Sequence, residues 1–297
     1  MIEFMNEMSK ITYLSKLNLL EKFDLGSGIL MHKNKILSNY RTSGALLTVG
    51  LITSFLVFNT MTIQFGNSQA AQNITDLIKS GLSLNHLGKY DEAITYFDRA
   101  LQIDPKNIIA LINKGVALDG LGKFDEEVKY YLKVLEIDPK NKFVMNNIGS
   151  ILLNLGNPQA ALEWFDRAIA TDPNNTKIII NKAITFESLG RLNEAITLYD
   201  KVIVLDPNDQ AAIINKGRAL AQLHRFDEAI SNYDRALSIN SNNTDALINK
   251  AYSLYNLGKN TEAISNLNNV LKIDPLNQLA IGLRQDIESG GKAIFKG

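Results

Sequence analysis

The stretch IIALINKGVALDGLGKFDEEVKYYLKVLEIDPKN, residues 108–141, contains the pattern that decides the fold. Apolar residues recur every three or four positions on both sides of Leu121-Gly122, and this spacing is the period of an amphipathic helix. Gly122 marks the end of the first helix and Pro139 stops the second. Neither helix can bury its apolar side alone, so the stretch predicts a helix–turn–helix unit that needs packed neighbours.

The neighbours are further copies of the same unit. The Leu-Gly of the turn recurs every 34 residues, with His224 once in place of Gly, and the terminal Pro keeps its register, with Ser241 replacing it once. Positions 1–34 are counted below from the start of each unit. Small and aromatic residues also recur at fixed positions, where packing between helices explains them. The units cover residues 74–107, 108–141, 142–175, 176–209, 210–243 and 244–277.

A period of 34 residues with Gly, Ala, aromatic residues and Pro at these positions resembles the tetratricopeptide repeat. The resemblance implies an all-α fold, a right-handed α-solenoid of six helix–turn–helix units spanning residues 74–277. In this family the first helices of the units line a concave groove. Residues 278–289 resemble the capping helix that closes such a stack, and residues 290–297 form a tail.

The composition changes at residue 44. Residues 44–65, GALLTVGLITSFLVFNTMTIQF, carry no charge and would reach roughly 33 Å as a helix, enough for a hydrocarbon core of about 30 Å. Two interpretations stay open, an uncleaved transmembrane helix and a signal peptide cleaved near Ala70. Lys33, Lys35 and Arg41 precede the segment. Both interpretations therefore place the N-terminus in the cytoplasm and the repeats outside it.

The remaining N-terminal segments are predicted as connections. Residues 1–43 form a leader, expected to be cytoplasmic, whose true start is Met1 or Met31, and residues 66–73 form a polar linker. A cytosolic protein, in which the apolar segment 44–65 has been misjudged, is the alternative for localisation.

Charge and composition limit the function classes. The 31 Lys and Arg residues balance the 31 Asp and Glu residues, so no net field favours nucleic acid or an anionic membrane surface. The absence of Cys excludes thiol chemistry, and the three His residues show no metal-ligand spacing. No nucleophile–base arrangement or phosphate-binding loop is recognisable. The sequence therefore predicts a protein without enzymatic activity, metal or cofactor.

One column of the repeats predicts a binding surface. An Asn carboxamide offers a donor and an acceptor, so it can pair with the N–H and C=O of a peptide without reading its side chains. The column resembles the asparagine ladder in the superhelical repeats of O-linked N-acetylglucosamine transferase. Position 6 carries Lys79 and then Asn113, Asn147, Asn181, Asn215 and Asn249.

An apolar row precedes the Asn column, and a few variable residues lie on the same predicted face. Together they predict binding of an extended, weakly charged segment of a partner protein or peptide, with specificity set by the residues that vary. Position 5 carries Ile78, Ile112, Ile180, Ile214 and Ile248, interrupted by Asn146, and the variable residues include Lys177, Arg218 and Tyr252. A carboxylate clamp of the co-chaperone type is not predicted, because only Asn147 and Lys177 fit it.

Three further patterns have simple interpretations. Position 7 carries Lys114, Lys182, Lys216 and Lys250, interpreted as a solvated flank. Glu127 occupies a position where the other units have Ala, so it must extend to solvent or push two helices apart. Sequons make Asn73, Asn174 and Asn242 candidates for glycosylation.

The sequence thus favours a peptide-binding scaffold that is membrane-tethered or secreted. The alternatives are a structural protein that self-assembles through its convex or end surfaces, and a cytosolic adaptor.

Overall fold

The computed structural model describes residues 43–290, and within this range the secondary structure consists of thirteen α-helices without a strand. The predicted leader lies outside the described residues except for Ser43, and the predicted tail lies outside them except for Gly290. Contacts divide the chain into one compact unit up to Asp76 and a second from Leu77 onward.

Helix α1, Ser43–His86, includes residues 44–65, the predicted linker 66–73 and the first helix of the first repeat. The linker residues are therefore helical. Among the helices of the described range, none is both long enough and apolar enough to span a membrane.

The remaining helices follow the repeat, two per unit, and the last is the predicted cap. They are α2 (Tyr90–Ile103), α3 (Ile108–Gly120), α4 (Phe124–Ile137), α5 (Lys142–Asn154), α6 (Pro158–Thr171), α7 (Thr176–Ser188), α8 (Leu192–Leu205), α9 (Gln210–Gln222), α10 (Phe226–Ile239), α11 (Thr244–Asn256), α12 (Asn260–Ile273) and α13 (Gln278–Glu288). The predicted all-helical solenoid is confirmed for the repeats.

Every first helix from α3 onward, and the cap α13, begins at a side-chain cap. The oxygen of the capping residue accepts a hydrogen bond from the backbone N–H three residues later, which satisfies one of the free donors of the first turn. For example, Asn107 Oδ1 lies 3.1 Å from Ala110 N. The capping residues are Asn107, Asn141, Asn175, Asp209, Asn243 and Asn277.

The turn inside each unit needs a left-handed residue. Gly occupies this place in five units, with φ between 70° and 76°. In the fifth unit His224 takes the same conformation, φ 59°, although a Cβ makes it unfavourable. The departure noted in the sequence is therefore a strained turn.

Within units 1 to 5, the aromatic residue at position 24 packs against the small residue at position 8, whereas unit 6 has Leu267 at position 24. A Cβ added to Gly115 would lie 2.5 Å from Tyr131 Cε1, and one added to Gly217 would lie 2.6 Å from Tyr233 Cε1. The aromatic rings are almost completely buried, with Ala residues of position 20 beside them. The aromatic stripe is core, as predicted.

The interpretation of the position-7 lysines as a solvated flank is wrong. Each pairs with the Asp at position 25 of the preceding unit, sixteen residues earlier, because position 7 faces the preceding second helix. The pairs are Lys114–Asp98 at 2.5 Å, Lys216–Asp200 at 2.6 Å, Lys250–Asp234 at 2.5 Å, and Lys182–Asp166. The Lys114 side chain is only 10% exposed.

The two exceptions to these pairs change both partners together. Between units 2 and 3 the same positions hold Leu132 and Ile148. At the cap, Arg284 donates a hydrogen bond to Asn268 Oδ1 at 3.2 Å. The cap thus replaces the ion pair by a hydrogen bond, and the junction between units 2 and 3 has an apolar residue at both positions.

Candidate functional site

The predicted binding residues lie on one surface, which we call the first-helix face and define as positions 2, 5, 6, 9 and 12 of the first helices. Polar contacts connect successive first helices along it. Asn85 Nδ2 donates to the Asn113 carbonyl at 3.3 Å, and Asn181 Nδ2 donates to Asn146 Oδ1 at 2.9 Å. Asn113 and Asn181 of the predicted site are thus each joined to the first helix of the preceding unit.

The five Asn side chains of position 6 are all partly exposed, but they are not equivalent. Asn147 Nδ2 donates to Tyr131 Oη at 3.3 Å, and Asn181 bonds Asn146, so these two amides connect units. Asn113 and Asn249 instead donate to carbonyls of their own helices at 2.8 Å. The Asn215 carboxamide makes no hydrogen bond within residues 43–290.

The apolar row lies beside these amides. The side chains of Ile112, Ile180, Ile214 and Ile248 are partly buried, and each packs on a core cluster of its unit. Ile78 is buried, Asn146 interrupts the row as a buried polar residue, Lys79 and Lys177 are exposed, and Tyr252 is partly buried. The row gives the first-helix face an apolar floor flanked by carboxamides.

Glu127 does not extend to solvent. It is 3% exposed, and helix α4 packs less extensively on α5 than other second helices pack on the units that follow them. Burial raises the pKa of Glu127 to about 7; a hydrogen bond with Tyr131 opposes this, and the negative charge of Asp119 adds to it. The Oε2 atom is buried and lacks a hydrogen-bond partner in the described part of the chain.

Glu127, Tyr131 and Asn147 form a short polar chain from the core to the first-helix face. Tyr131 bonds Glu127 on one side and accepts from Asn147 on the other. Burial, reinforced by the Glu127 charge, raises the pKa of Tyr131, so its hydroxyl stays neutral. The sequence indicated that position 127 was unusual, but it did not show where the carboxylate lies.

A second polar cluster joins units 4 and 5. Glu187 Oε1 accepts from Tyr199 Oη at 2.5 Å, and Glu187 Oε2 accepts from Arg218 Nη2 at 3.1 Å. The Glu187 side chain is 9% exposed and that of Arg218 is 42% exposed. Burial raises the pKa of Tyr199, and the nearby Glu187 charge raises it further. Arg218, predicted as a specificity residue, is therefore held in place by the carboxylate of Glu187, which the sequence placed among the variable residues of the same face.

Other predicted sites are placed but not brought together. The sequon residues Asn73, Asn174 and Asn242 are exposed, and their glycosylation stays a prediction. In the part of the chain that the structure describes, His, Asp and Glu form no cluster of three suited to a metal ion.

Comparison with protein families agrees with the geometry of the units. Family models described as tetratricopeptide repeat match residues 74–140, 130–163 and 152–223. A model described as anaphase-promoting complex, cyclosome, subunit 3 matches residues 188–270. No curated protein matches the chain.

Several solved structures share the fold. PilF of Pseudomonas aeruginosa is 18% identical, with 75% of this chain and 99% of that chain covered and a TM-score of 0.62. PilW, described as a type IV pilus biogenesis factor, is 20% identical over 71% and 97% of the two chains, with a TM-score of 0.64. YrrB, described as having an unusual peptide-binding site, is 20% identical over 64% and 97%, with a TM-score of 0.51. At these identities the likeness concerns the fold.

Proposed function

Because this chain belongs to the tetratricopeptide-repeat family, we propose that it is a non-enzymatic scaffold that binds an extended segment of a partner protein on its first-helix face. Folds of this family are generally scaffolds for protein–protein interaction, and YrrB is described as having a peptide-binding site.

The observation that carries the proposal is the apolar row flanked by carboxamides that make no bond between units. Asn113, Asn215 and Asn249 have this property, so a ligand can engage them without breaking contacts that hold the stack together. First helices of neighbouring units lie about 8–10 Å apart in such packing, and an extended chain advances about 3.3 Å per residue. One Asn can therefore meet about every third residue of the ligand.

A triple variant tests this function. The full-length chain is screened against a random ten-residue peptide library, and affinity for the best selected peptide is measured by fluorescence anisotropy. Replacing Asn113, Asn215 and Asn249 by Ala removes up to three hydrogen bonds and should weaken binding at least about tenfold, with little change in stability.

A matched control is available on the second helices. Asn232 and Asn266 also donate to carbonyls four residues earlier in their own helices, at 2.8 Å, but they lie away from the first-helix face. The Asn232→Ala, Asn266→Ala variant should bind like the wild type. Equal affinities of the triple variant and the wild type would disprove the role of the amides.

Export is the second part of the proposal. Residues 44–65 direct the repeats out of the cytoplasm, as a retained anchor or as a signal cleaved near Ala70. The uncharged interval from Arg41 to Asp76 and the basic residues before it support this function. If the anchor is retained, protease treatment of intact cells that express the full-length chain should degrade the repeats. If the signal is cleaved, the repeats should be found in the secreted fraction. Full protection in a soluble cytosolic fraction would instead support a cytosolic adaptor.

A further inference from the structure

Units 4 and 5 have Tyr at position 24, and unit 4 shows what its hydroxyl requires. There, Tyr199 Oη donates to the Glu187 carboxylate at position 12 of the same unit, while Arg218 of the next unit donates Nε–H and Nη2–H to the same carboxylate at 3.3 and 3.1 Å. The carboxylate is thus held between a phenol and a guanidinium.

Unit 5 has the phenol but lacks the carboxylate. Position 12 is Ala221, and Tyr233 Oη is buried without a hydrogen-bond partner in the described residues. Buried hydroxyls are nearly always hydrogen-bonded, so this one calls for an acceptor. Burial raises the pKa of Tyr233, the Arg218 charge partly opposes this, and the Glu187 charge adds to it.

Arg218 can donate to a ligand beside Ala221 while it remains bonded to Glu187. It lies three residues before Ala221 on α9, and side chains at this spacing are neighbours on one helix face. Its guanidinium has five N–H donors, of which Glu187 uses those on Nε and Nη2. The Nη1 group has no partner within the described range, and the side chain is 42% exposed.

We propose that the first-helix face above Ala221 is a subsite for a carboxylate of the bound segment, which accepts from Tyr233 Oη and from Arg218 Nη1. This inference rests on the proposed peptide-binding function and specifies its ligand as a segment with an Asp or Glu side chain or a free C-terminus. The ligand carboxylate takes in unit 5 the place that Glu187 occupies in unit 4. Because Glu187 already neutralises Arg218, the attraction comes from directed hydrogen bonds more than from net charge.

The test uses the full-length chain and two random ten-residue peptide libraries, one amidated and one with free C-termini. The wild type should select peptides with an acidic residue from the amidated library, or free C-termini irrespective of sequence, which distinguishes the two sources of the carboxylate. Tyr233→Phe should weaken binding of the best acidic peptide about tenfold. It should not change binding of the same peptide in which the carboxylate is replaced by a carboxamide. Tyr96→Phe, on the second helix of unit 1, serves as the control and should keep the preference for acidic peptides.

Ala221→Glu gives an independent arm. The new carboxylate should occupy the subsite, raise the midpoint of thermal unfolding by satisfying Tyr233, and abolish the acidic preference while other peptides still bind. A lower midpoint would show that the place cannot hold a carboxylate, and the inference would fail whatever the selections give. If the wild type selects peptides that lack a carboxylate, the inference is wrong but the proposed function stands. If it selects no peptide at all, both the inference and the proposed function are wrong.

Discussion

Replacing Glu127 by Ala should stabilise the protein at neutral and alkaline pH. The other units already have Ala at this position, and each of these Ala residues is completely buried between the helices. Glu127 carries a carboxylate that is 3% exposed and has one oxygen without a partner. A buried group of this kind destabilises the folded state whenever it is ionised.

The magnitude follows from the pKa of Glu127, which rises from 4.5 to about 7 on folding. This difference corresponds to about 3 kcal/mol. The pKa of Glu127 is higher in the folded than in the unfolded state. The contribution of Glu127 to the free energy of unfolding is therefore fully present below pH 4.5 and is lost as pH rises through 7. Loss of the Tyr131 hydrogen bond offsets about 1 kcal/mol. The net gain expected for Glu127→Ala is therefore about 2 kcal/mol at pH 8, with a change of at most about 1 kcal/mol at pH 4.5.

Urea unfolding of the full-length chain at pH 4.5 and pH 8, followed by circular dichroism, measures the difference. Glu127→Gln is the control, because it removes the charge but keeps the buried polar group, so it should abolish the extra pH dependence with a smaller gain. If wild type and Glu127→Ala lose stability equally between these pH values, Glu127 is not a buried titrating group and the reasoning is wrong.

Three further substitutions should change the free energy of unfolding, as measured by the same urea titrations. Asp98→Leu alone leaves the buried Lys114 with Tyr130 as its remaining partner and should cost about 1–3 kcal/mol. Adding Lys114→Ile copies the apolar residues of the next junction and should restore most of the loss; no restoration would show that the two positions act independently. His224→Gly should gain about 0.5–1 kcal/mol by relieving the left-handed turn, and a loss would show that the ring contact with Phe226 matters more. Gly217→Ala should cost about 1–3 kcal/mol because its Cβ meets Tyr233, and an unchanged stability would show that the ring moves freely.

The helices of the repeats were predictable because each boundary is encoded locally. Asn107 and its equivalents cap first helices, Gly122 and its equivalents end them, and the terminal Pro recurs in register. The six-fold repetition turned weak local signals into a firm prediction.

Contacts between units were harder to predict, since they join residues sixteen positions apart on different helices. The position-7 lysines looked solvated when considered alone. The Asp column at position 25 contained the missing signal, because the junction with Leu132 also has Ile148. Comparing the two columns would have predicted the ion pairs.

The positions of the candidate site residues could be predicted from the sequence, but their hydrogen-bond partners could not. The same Asn recurs at position 6, yet its hydrogen bonds depend on what the adjoining positions supply. Asn147 meets a Tyr hydroxyl and Asn181 meets the exceptional Asn146, while Asn113 returns to its own helix. Identical residues therefore differ in their availability to a ligand, and no column read alone reveals this.

The apolar pair Leu132–Ile148 has a consequence for cooperativity. Dissolved salt screens the partly exposed ion pairs at the four charged junctions, whereas the junction with Leu132 and Ile148 has no such pair to screen. In dilute buffer the boundary between the second and third units is the thinnest of the stack, so the first two units can melt apart from the rest. High salt weakens the charged junctions, so the stabilities of the junctions become more similar. The six units should then unfold more cooperatively.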